Sequence, residues 1–153
     1  MMNNKATKFR WMLAGLMFLL NFVMYMDRVN ISVAAPAIMQ EFAFTKIDLS
    51  LFQSAFFLGY ALMQIPGGMM AEYFGHRRVV SAGVFWWSVL TALTAACSSV
   101  ASFAAVRFLF GLGEGPVPPT LNAFVYRWFN KAEKAFAYSV GLGGAFIGPV
   151  LGP

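Results

Sequence analysis

Charged residues are scarce in this sequence of 153 residues. They make up 11% of the chain, whereas hydrophobic residues make up 59%. Ordinary soluble domains carry about a quarter charged residues, which they need to cover their surfaces. The composition therefore excludes an ordinary soluble globular domain and indicates a protein of the lipid bilayer.

Cysteine and histidine are almost absent, with Cys97 and His76 the single examples of each. One cysteine forms no disulfide framework, and one histidine without neighbouring ligands forms no zinc site. A nucleophile paired with a base is also missing, so a membrane-embedded enzyme is not favoured and no cofactor or metal is expected. The basic residues form no stripe with interleaved aromatic residues, so no nucleic-acid partner is expected either.

Long windows poor in charge are what the sequence has instead. A helix that crosses the hydrocarbon core of a bilayer, about 30 Å thick, needs roughly 20 apolar residues. Five such windows occur, and their length is too great for strands. They predict an all-α integral membrane protein with helices at approximately 11–39, 49–74, 79–99, 103–126 and 135–153.

The basic residues fall on one side of this predicted topology. The N-terminus and the second and fourth connections hold eight of them, namely Lys5, Lys8, Arg10, Arg77, Arg78, Arg127, Lys131 and Lys134. The first connection holds only Lys46 and the third holds none. By the positive-inside rule, this bias predicts a multi-pass protein of the cell (inner) membrane with a cytoplasmic N-terminus.

The N-terminal stretch has one alternative interpretation. The segment MMNNKATKFR, an apolar run and the small residues VAAPA are compatible with a secretory signal peptide cleaved near residues 35–37. Four further membrane-length windows follow, and a signal core does not normally contain an acid next to a base, as at Asp27 and Arg28. We therefore interpret the segment as the first membrane helix.

Four ionisable groups lie inside the predicted crossings: Asp27 and Arg28 in the first, Arg107 and Glu114 in the fourth. Each costs about 2.5–3.5 kcal/mol at a helix centre on insertion scales, so together they cost on the order of 10 kcal/mol. Two salt bridges that hold helices together would be a purely structural explanation, because the charges cancel in sign.

Helical periodicity places these groups on extended polar faces. At about 100° per residue, one face of the first helix carries Asn21, Tyr25, Arg28 and Ser32. The second helix repeats the spacing with Gln53, Tyr60 and Gln64. Salt bridges alone would not require tyrosines and glutamines several turns beyond the charges.

The fourth helix has a polar face of its own. Arg107 and Glu114 are seven residues apart, so they share a face and lie about 10 Å apart along the helix axis. Polar faces inside a membrane turn towards a water-filled cavity or the interior of a bundle, and they typically mark a substrate or proton path.

The segment GGMMAEYFGHRR, residues 67–78, resembles the signature of the major facilitator superfamily between the second and third helices. Glu72 stands where that signature usually has Asp, and Tyr73 stands where it usually has a base. The resemblance implies a conformational-switch loop in which an acid and a basic cluster hold one conformation. Its residues would be Gly68, Glu72, Gly75, Arg77 and Arg78.

Three further motifs, YMDRVNISVAAP, YALMQIPGG and RFLFGLGEG, together resemble the anion:cation symporter branch of that superfamily. This branch includes sialin, the vesicular glutamate transporters and bacterial sugar-acid and phthalate permeases. The resemblance covers essentially the whole chain and implies a fold of twelve helices in two halves. The chain would then be the N-terminal part, helices 1–4 and part of helix 5, with the C-terminal half missing.

The resemblance also implies roles for individual residues. Arg28 would pair with the carboxylate of a substrate, and Tyr25 and Tyr60 would donate hydrogen bonds to it. Asp27 and Glu114 would carry coupled protons, and Arg107 would modulate Glu114. The chemistry of Arg28 agrees, because a guanidinium stays charged when poorly solvated and binds a carboxylate through two hydrogen bonds. We add Gln64 as a substrate-binding candidate because it shares a face with Tyr60.

The sequence thus predicts a secondary active transporter that carries a small organic anion together with protons across the bilayer. A drug/proton antiporter is an alternative, since residues 144–153, GAFIGPVLGP, partly resemble a glycine-proline motif of antiporters, although Arg28 would repel cationic drugs. Sugar-acid members tend to carry glutamine where Ala145 stands, which favours a simpler or aromatic carboxylate. The chain is still apolar at Pro153, so we expect a truncation within the fifth helix rather than a complete structural protein of four to five helices.

Overall fold

The computed structural model describes the backbone of residues 4–151 and the side chains of residues 9–151. Within that range all regular secondary structure is helical, which confirms the predicted all-α fold. The helices are α1 Asn4–Phe42, α2 Lys46–Phe74, α3 His76–Thr94, α4 Val100–Glu114, α5 Val117–Trp128 and α6 Lys134–Leu151.

Four helical segments in the described part of the chain are long and apolar enough to cross a membrane. They are Phe9–Phe42, Lys46–Phe74, Val100–Trp128 and Lys134–Leu151. The third predicted crossing, α3, is 19 residues long but is not among them. Its sequence begins with Arg77 and Arg78 after a histidine and includes serines and two tryptophans, which lower its hydropathy.

The predicted fourth helix is two helices. The chain leaves α4 after Glu114 and enters α5 at Val117, with Gly115 and Pro116 between them. Proline has no backbone N–H, and the sequence GPVPP places three prolines within four residues, so successive hydrogen bonds of a continuous helix are lost. The two helices together still form one membrane-length segment.

Two helices begin earlier than predicted because polar side chains cap them. Thr45 accepts a hydrogen bond from the Asp48 amide (3.3 Å), and the Asp48 carboxylate accepts one from the Thr45 amide (2.8 Å). Ser99 and Ser102 form the same reciprocal pair at the start of α4. Each pair satisfies amides that have no partner within the helix, so each helix starts at its cap rather than at its first apolar residue.

The chain divides into two compact units, and residues 35–121 form one of them. In this unit α2 and α4 approach so closely that their glycines face the backbone of the opposite helix. Gly59 faces the Phe108 carbonyl and Gly111 faces the Phe56 carbonyl. A Cβ atom at either glycine would overlap those oxygens, so the close approach of α2 and α4 requires glycine at both positions.

Helix α3 packs on α4 in the same unit. Trp86 lies against Gly113, and its indole N–H donates a hydrogen bond to the Leu109 carbonyl at 3.0 Å. A cluster of stacked and edge-on rings fills the unit at the connection between α1 and α2, with ring centroids 5.3–5.8 Å apart; its members are Phe42, Phe44, Phe52 and Phe103.

The other unit comprises the chain up to Ala34 and from Asn122 onward. Here α6 packs on α1 by the same means, since Gly144 and Gly148 face the carbonyls of Phe18 and Phe22. Small residues of this kind let two membrane helices bring their backbones together.

Arg10 departs from the expectation that it belongs to a solvated basic cluster at the N-terminus. It lies within α1, is only 5% exposed, and donates a hydrogen bond to the Glu133 carboxylate at 2.9 Å. Its guanidinium also lies 5.5 Å from the centre of the Phe129 ring. The side chains of Lys5 and Lys8 lie outside the described residues.

We expect Gly111→Val to lower the amount of folded protein, because the new side chain would overlap the Phe56 carbonyl. Overpacking of this kind typically costs 1–3 kcal/mol. Fluorescence-detected size exclusion after graded heating measures the loss as a lower Tm. Gly15→Ala is the matched control, since a Cβ there meets nothing within 4 Å. Equal Tm values for the two variants would contradict the packing described.

Candidate functional site

The first polar site lies in α1, where Tyr25, Asp27 and Arg28 are all half-buried. The guanidinium carbon of Arg28 lies 4.8 Å from the centre of the Tyr25 ring. The predicted shared face is therefore present, and the aromatic ring offsets part of the cost of removing the guanidinium from water. Asp27 points about 100° away around the helix, so it lies on a neighbouring face.

The other members of the predicted α1 face behave differently. The side-chain amide of Asn21 donates a hydrogen bond to the Met17 carbonyl of its own helix at 3.0 Å. Ser32, at the other end of the face, is exposed. The part of this face that combines charge with partial burial is thus Tyr25 and Arg28.

The second polar site lies in α4. Glu114 is completely buried and Arg107 is 9% exposed. Both sit on one face of the helix as predicted, with Glu114 at the last residue before the break at Pro116. The guanidinium carbon of Arg107 lies 5.3 Å from the centre of the Phe110 ring.

An aromatic column, which we define as Tyr60, Phe56 and Phe110, connects the half-buried Tyr60 of α2 with this site. Tyr60 stacks on Phe56 with centroids 5.9 Å apart, and Phe56 lies 6.1 Å from Phe110. Phe110 in turn lies under the guanidinium of Arg107. The column is fixed because Gly111 lies against the backbone of Phe56.

Sequence reasoning identified Tyr60 and Arg107 but not the two phenylalanines between them. The available signal was spacing, since Phe56 precedes Tyr60 by four residues and Phe110 follows Arg107 by three, which stacks each pair on one helix face. Gln64 lies one turn beyond Tyr60 and is exposed. It is on the predicted face but outside the aromatic column.

The predicted conformational-switch loop is helical except for one residue. Glu72 lies in the last turn of α2, Arg77 and Arg78 lie in the first turn of α3, and all three are exposed. Gly75 alone joins the two helices, with φ at +92°, a conformation that side-chain-bearing residues rarely adopt. Gly68 lies within α2, where a Cβ would make ordinary contact with Pro119 at 3.6 Å.

The arrangement offers two kinds of chemistry within membrane-length helices. A guanidinium supported by an aromatic ring, with a phenolic hydroxyl beside it, is suited to bind an anion. A carboxyl group buried two turns from a second guanidinium is the kind of group whose proton responds to changes in its surroundings.

Comparison with known proteins identifies relatives along almost the whole chain. The probable sulfoacetate transporter of Cupriavidus necator is 45% identical over 150 residues, which cover 94% of this chain and 35% of that protein. The chloroplastic ascorbate transporter of Arabidopsis thaliana is 36% identical over 145 residues, covering 94% of this chain and 27% of that protein. The hexuronate transporter of Bacillus subtilis is 32% identical over 141 residues, covering 89% of this chain and 33% of that protein.

A solved structure has the same fold. A bacterial homolog of the human lysosomal transporter Spinster, in an inward-facing and unoccupied conformation, matches with a TM-score of 0.84 and 25% identity over 98% of this chain and 31% of that one. The chain thus spans about a third of the length of the proteins it resembles, which are transporters and not enzymes. The family model of the Major Facilitator Superfamily matches residues 17–153. The chain therefore belongs to the Major Facilitator Superfamily of multi-pass membrane transporters, as its motifs indicated.

Proposed function

We propose that this chain supplies the first helices of a secondary active transporter that carries a small organic anion together with protons. The observation that carries the proposal is the guanidinium of Arg28, held over the Tyr25 ring within a membrane-length helix. The relatives named for sulfoacetate, hexuronate and ascorbate transport all move organic anions. The distribution of basic residues supports a cytoplasmic N-terminus in the cell membrane, even without Arg10.

The geometry at Arg28 favours an anion over a cation. The guanidinium carbon of Arg28 lies 4.8 Å from the centre of the Tyr25 ring, and the N–H groups of a guanidinium lie in its plane and point to its edges. That edge is the part that binds a carboxylate or sulfonate through two hydrogen bonds. A cationic drug would be repelled by the same group, which argues against a drug/proton antiporter.

Glu114 is our first candidate for the proton carrier, with Asp27 as the second. Glu114 is fully buried, and Arg107 lies two turns away on the same helix. The aromatic column connects Arg107 with Tyr60, so Arg107 is packed against the α2 face through Phe110 and Phe56. In this proposal Tyr60 contacts the substrate from α2, and Gln64 lies one turn beyond Tyr60.

A compact organic acid fits this chain better than a polyhydroxylated one. Ala145 is 5% exposed, and its neighbour Gly144 faces the Phe18 carbonyl of α1. A methyl group at this position in α6 provides no hydrogen-bond partner for a substrate hydroxyl. The probable sulfoacetate transporter, 45% identical, is named for a compact acid of this kind.

Residues 1–153 alone should insert into vesicles but accumulate no organic anion. The reason is that alternating access rocks one helical repeat against another around a midplane site, and this chain spans about a third of its relatives. Accumulation is measured as the uptake of radiolabelled sulfoacetate and simple carboxylates into such vesicles. Substrate accumulation above that of empty vesicles would refute the requirement for further helices.

In a complete transporter that contains this segment, Arg28→Lys should weaken anion binding at least tenfold. Lysine keeps the charge but loses the paired hydrogen bonds, and a hydrogen bond to a charged group is worth about 1.5–3 kcal/mol. Isothermal titration with the transported anion measures the change. Lys46→Gln removes a cation from the exposed start of α2 and should leave binding within about twofold. If Arg28→Lys and Arg28→Gln bind the anion with wild-type affinity, the guanidinium has a structural role and does not bind the substrate.

Glu114→Gln should separate coupling from binding in the same transporter. Glutamine mimics the protonated carboxyl, so substrate exchange across the membrane should persist while uptake driven by a proton gradient disappears. Folded yield, counterflow and proton-driven uptake are measured together. If Glu114 only neutralises Arg107, the variant should instead give a lower yield of folded protein, because the buried guanidinium has lost its counter-charge. A well-folded variant that still concentrates substrate would remove Glu114 from coupling and leave Asp27.

A further inference from the structure

A groove of about 480 Å³ opens between the end of α2 and the start of α3. Met70 and Phe74 form its α2 wall, Ala82 and Trp86 form its α3 wall, and Gly113 of α4 lies at its base. The volume lies within the range of about 300–1,000 Å³ typical of small-molecule sites. All of these residues belong to the compact unit of residues 35–121, so the groove is complete within that unit.

The size of the groove limits its occupant. Residues of α2, α3 and the end of α4 line it. A helix is about 10–12 Å wide with its side chains, so a volume of about 480 Å³ holds only roughly one turn of a helix. A hydrocarbon chain is narrow enough to lie along Met70 and Phe74.

One wall of the groove is held rigidly. The Trp86 indole N–H donates to the Leu109 carbonyl at 3.0 Å, and the ring lies against Gly113. The polar atom of Trp86 is therefore satisfied within the protein, and its ring presents an apolar face. A preformed apolar wall of this kind is suited to bind a methylene chain.

The rim of the groove carries positive charge. Arg78 lines it and is exposed, and within the part of the chain that the structure describes it takes part in no ion pair. Arg77 is the adjacent residue but does not line the groove. A single guanidinium in the lining of an otherwise apolar groove matches a molecule with a long apolar tail and an anionic head.

We propose that this groove binds an anionic phospholipid, with one acyl chain against Met70, Phe74 and Trp86 and the phosphate at Arg78. Basic pockets between membrane helices are sites of this type, because headgroup charge and buried chain act together. No residue of the proposed anion site lines the groove, and the lipid proposal does not depend on the transport proposal. It would make the packing of α2 and α3 responsive to the lipid composition.

Quenching of Trp86 by brominated lipid tests the proposal directly. In a chain with Trp11, Trp87 and Trp128 replaced by phenylalanine, Trp86 is the remaining tryptophan. The protein is placed in phosphatidylcholine nanodiscs that contain the same low mole fraction of either brominated phosphatidylglycerol or brominated phosphatidylcholine. We expect brominated phosphatidylglycerol to quench with about fivefold higher apparent affinity, the contribution expected of one basic side chain near an anionic headgroup.

Two variants and a matched control distinguish the groove from general surface charge. Arg78→Gln should abolish the preference for phosphatidylglycerol, whereas Arg77→Gln removes the same charge one residue away and should retain it. Ala82→Phe should fill the groove and abolish the preference while Arg78 stays in place. Each variant is first checked for a monodisperse size-exclusion profile.

Four results would overturn the proposal. Equal quenching by the two lipids would exclude an anionic lipid site. Equal losses in Arg77→Gln and Arg78→Gln, or no effect of Ala82→Phe, would assign the preference to surface charge without the groove. Disappearance of the quenching in a complete transporter that carries this segment would assign the groove to another helix of that protein.

Discussion

A guanidinium is costly to place in hydrocarbon, and the helices of this protein pack so that each buried guanidinium is supported. Each such charge costs about 2.5–3.5 kcal/mol on insertion scales, so it persists only where the fold supports it. Arg28 and Arg107 are supported in the same way, each by an aromatic ring three residues away on its own helix. Arg10 has both a ring and a carboxylate. An aromatic ring thus lies against each of these three guanidiniums and offsets part of the cost of removing it from water.

The aromatic rings stay against the guanidiniums only because the helix backbones are held in place. Glycine packing brings α2 onto α4 at Gly59 and Gly111, and brings α6 onto α1 at Gly144 and Gly148. Between helices in lipid there is little hydrophobic driving force, so close van der Waals contact has to supply the cohesion. Gly111 therefore fixes the aromatic column next to Arg107, and Gly113 of the same helix lets Trp86 pack at the groove. Packing and polar function are thus properties of the same helix pairs.

Much of the fold was predictable from the sequence, because membrane-length apolar windows and helical faces are local properties. The shared face of Tyr25 and Arg28 and the burial of Arg107 with Glu114 followed from spacing alone. The prolines of GPVPP are a local signal for the break at Pro116, whereas hydropathy alone predicts one helix over residues 103–126. The burial of Arg10 and the roles of Phe56 and Phe110 were not predictable, because they depend on which helices meet. The periodicity within one helix does not specify which helix it packs against. The roles of these residues in substrate binding stay proposals.

We propose that the charges inside these helices bind an anion and a proton together. In a complete transporter that contains this segment, proton exchange upon anion binding can be measured with an indicator dye in weakly buffered detergent solution. We expect a net uptake of protons that saturates at the same anion concentration as binding itself. Saturable anion binding without any change in bound protons would instead show that Arg28 and Glu114 have separate, uncoupled roles.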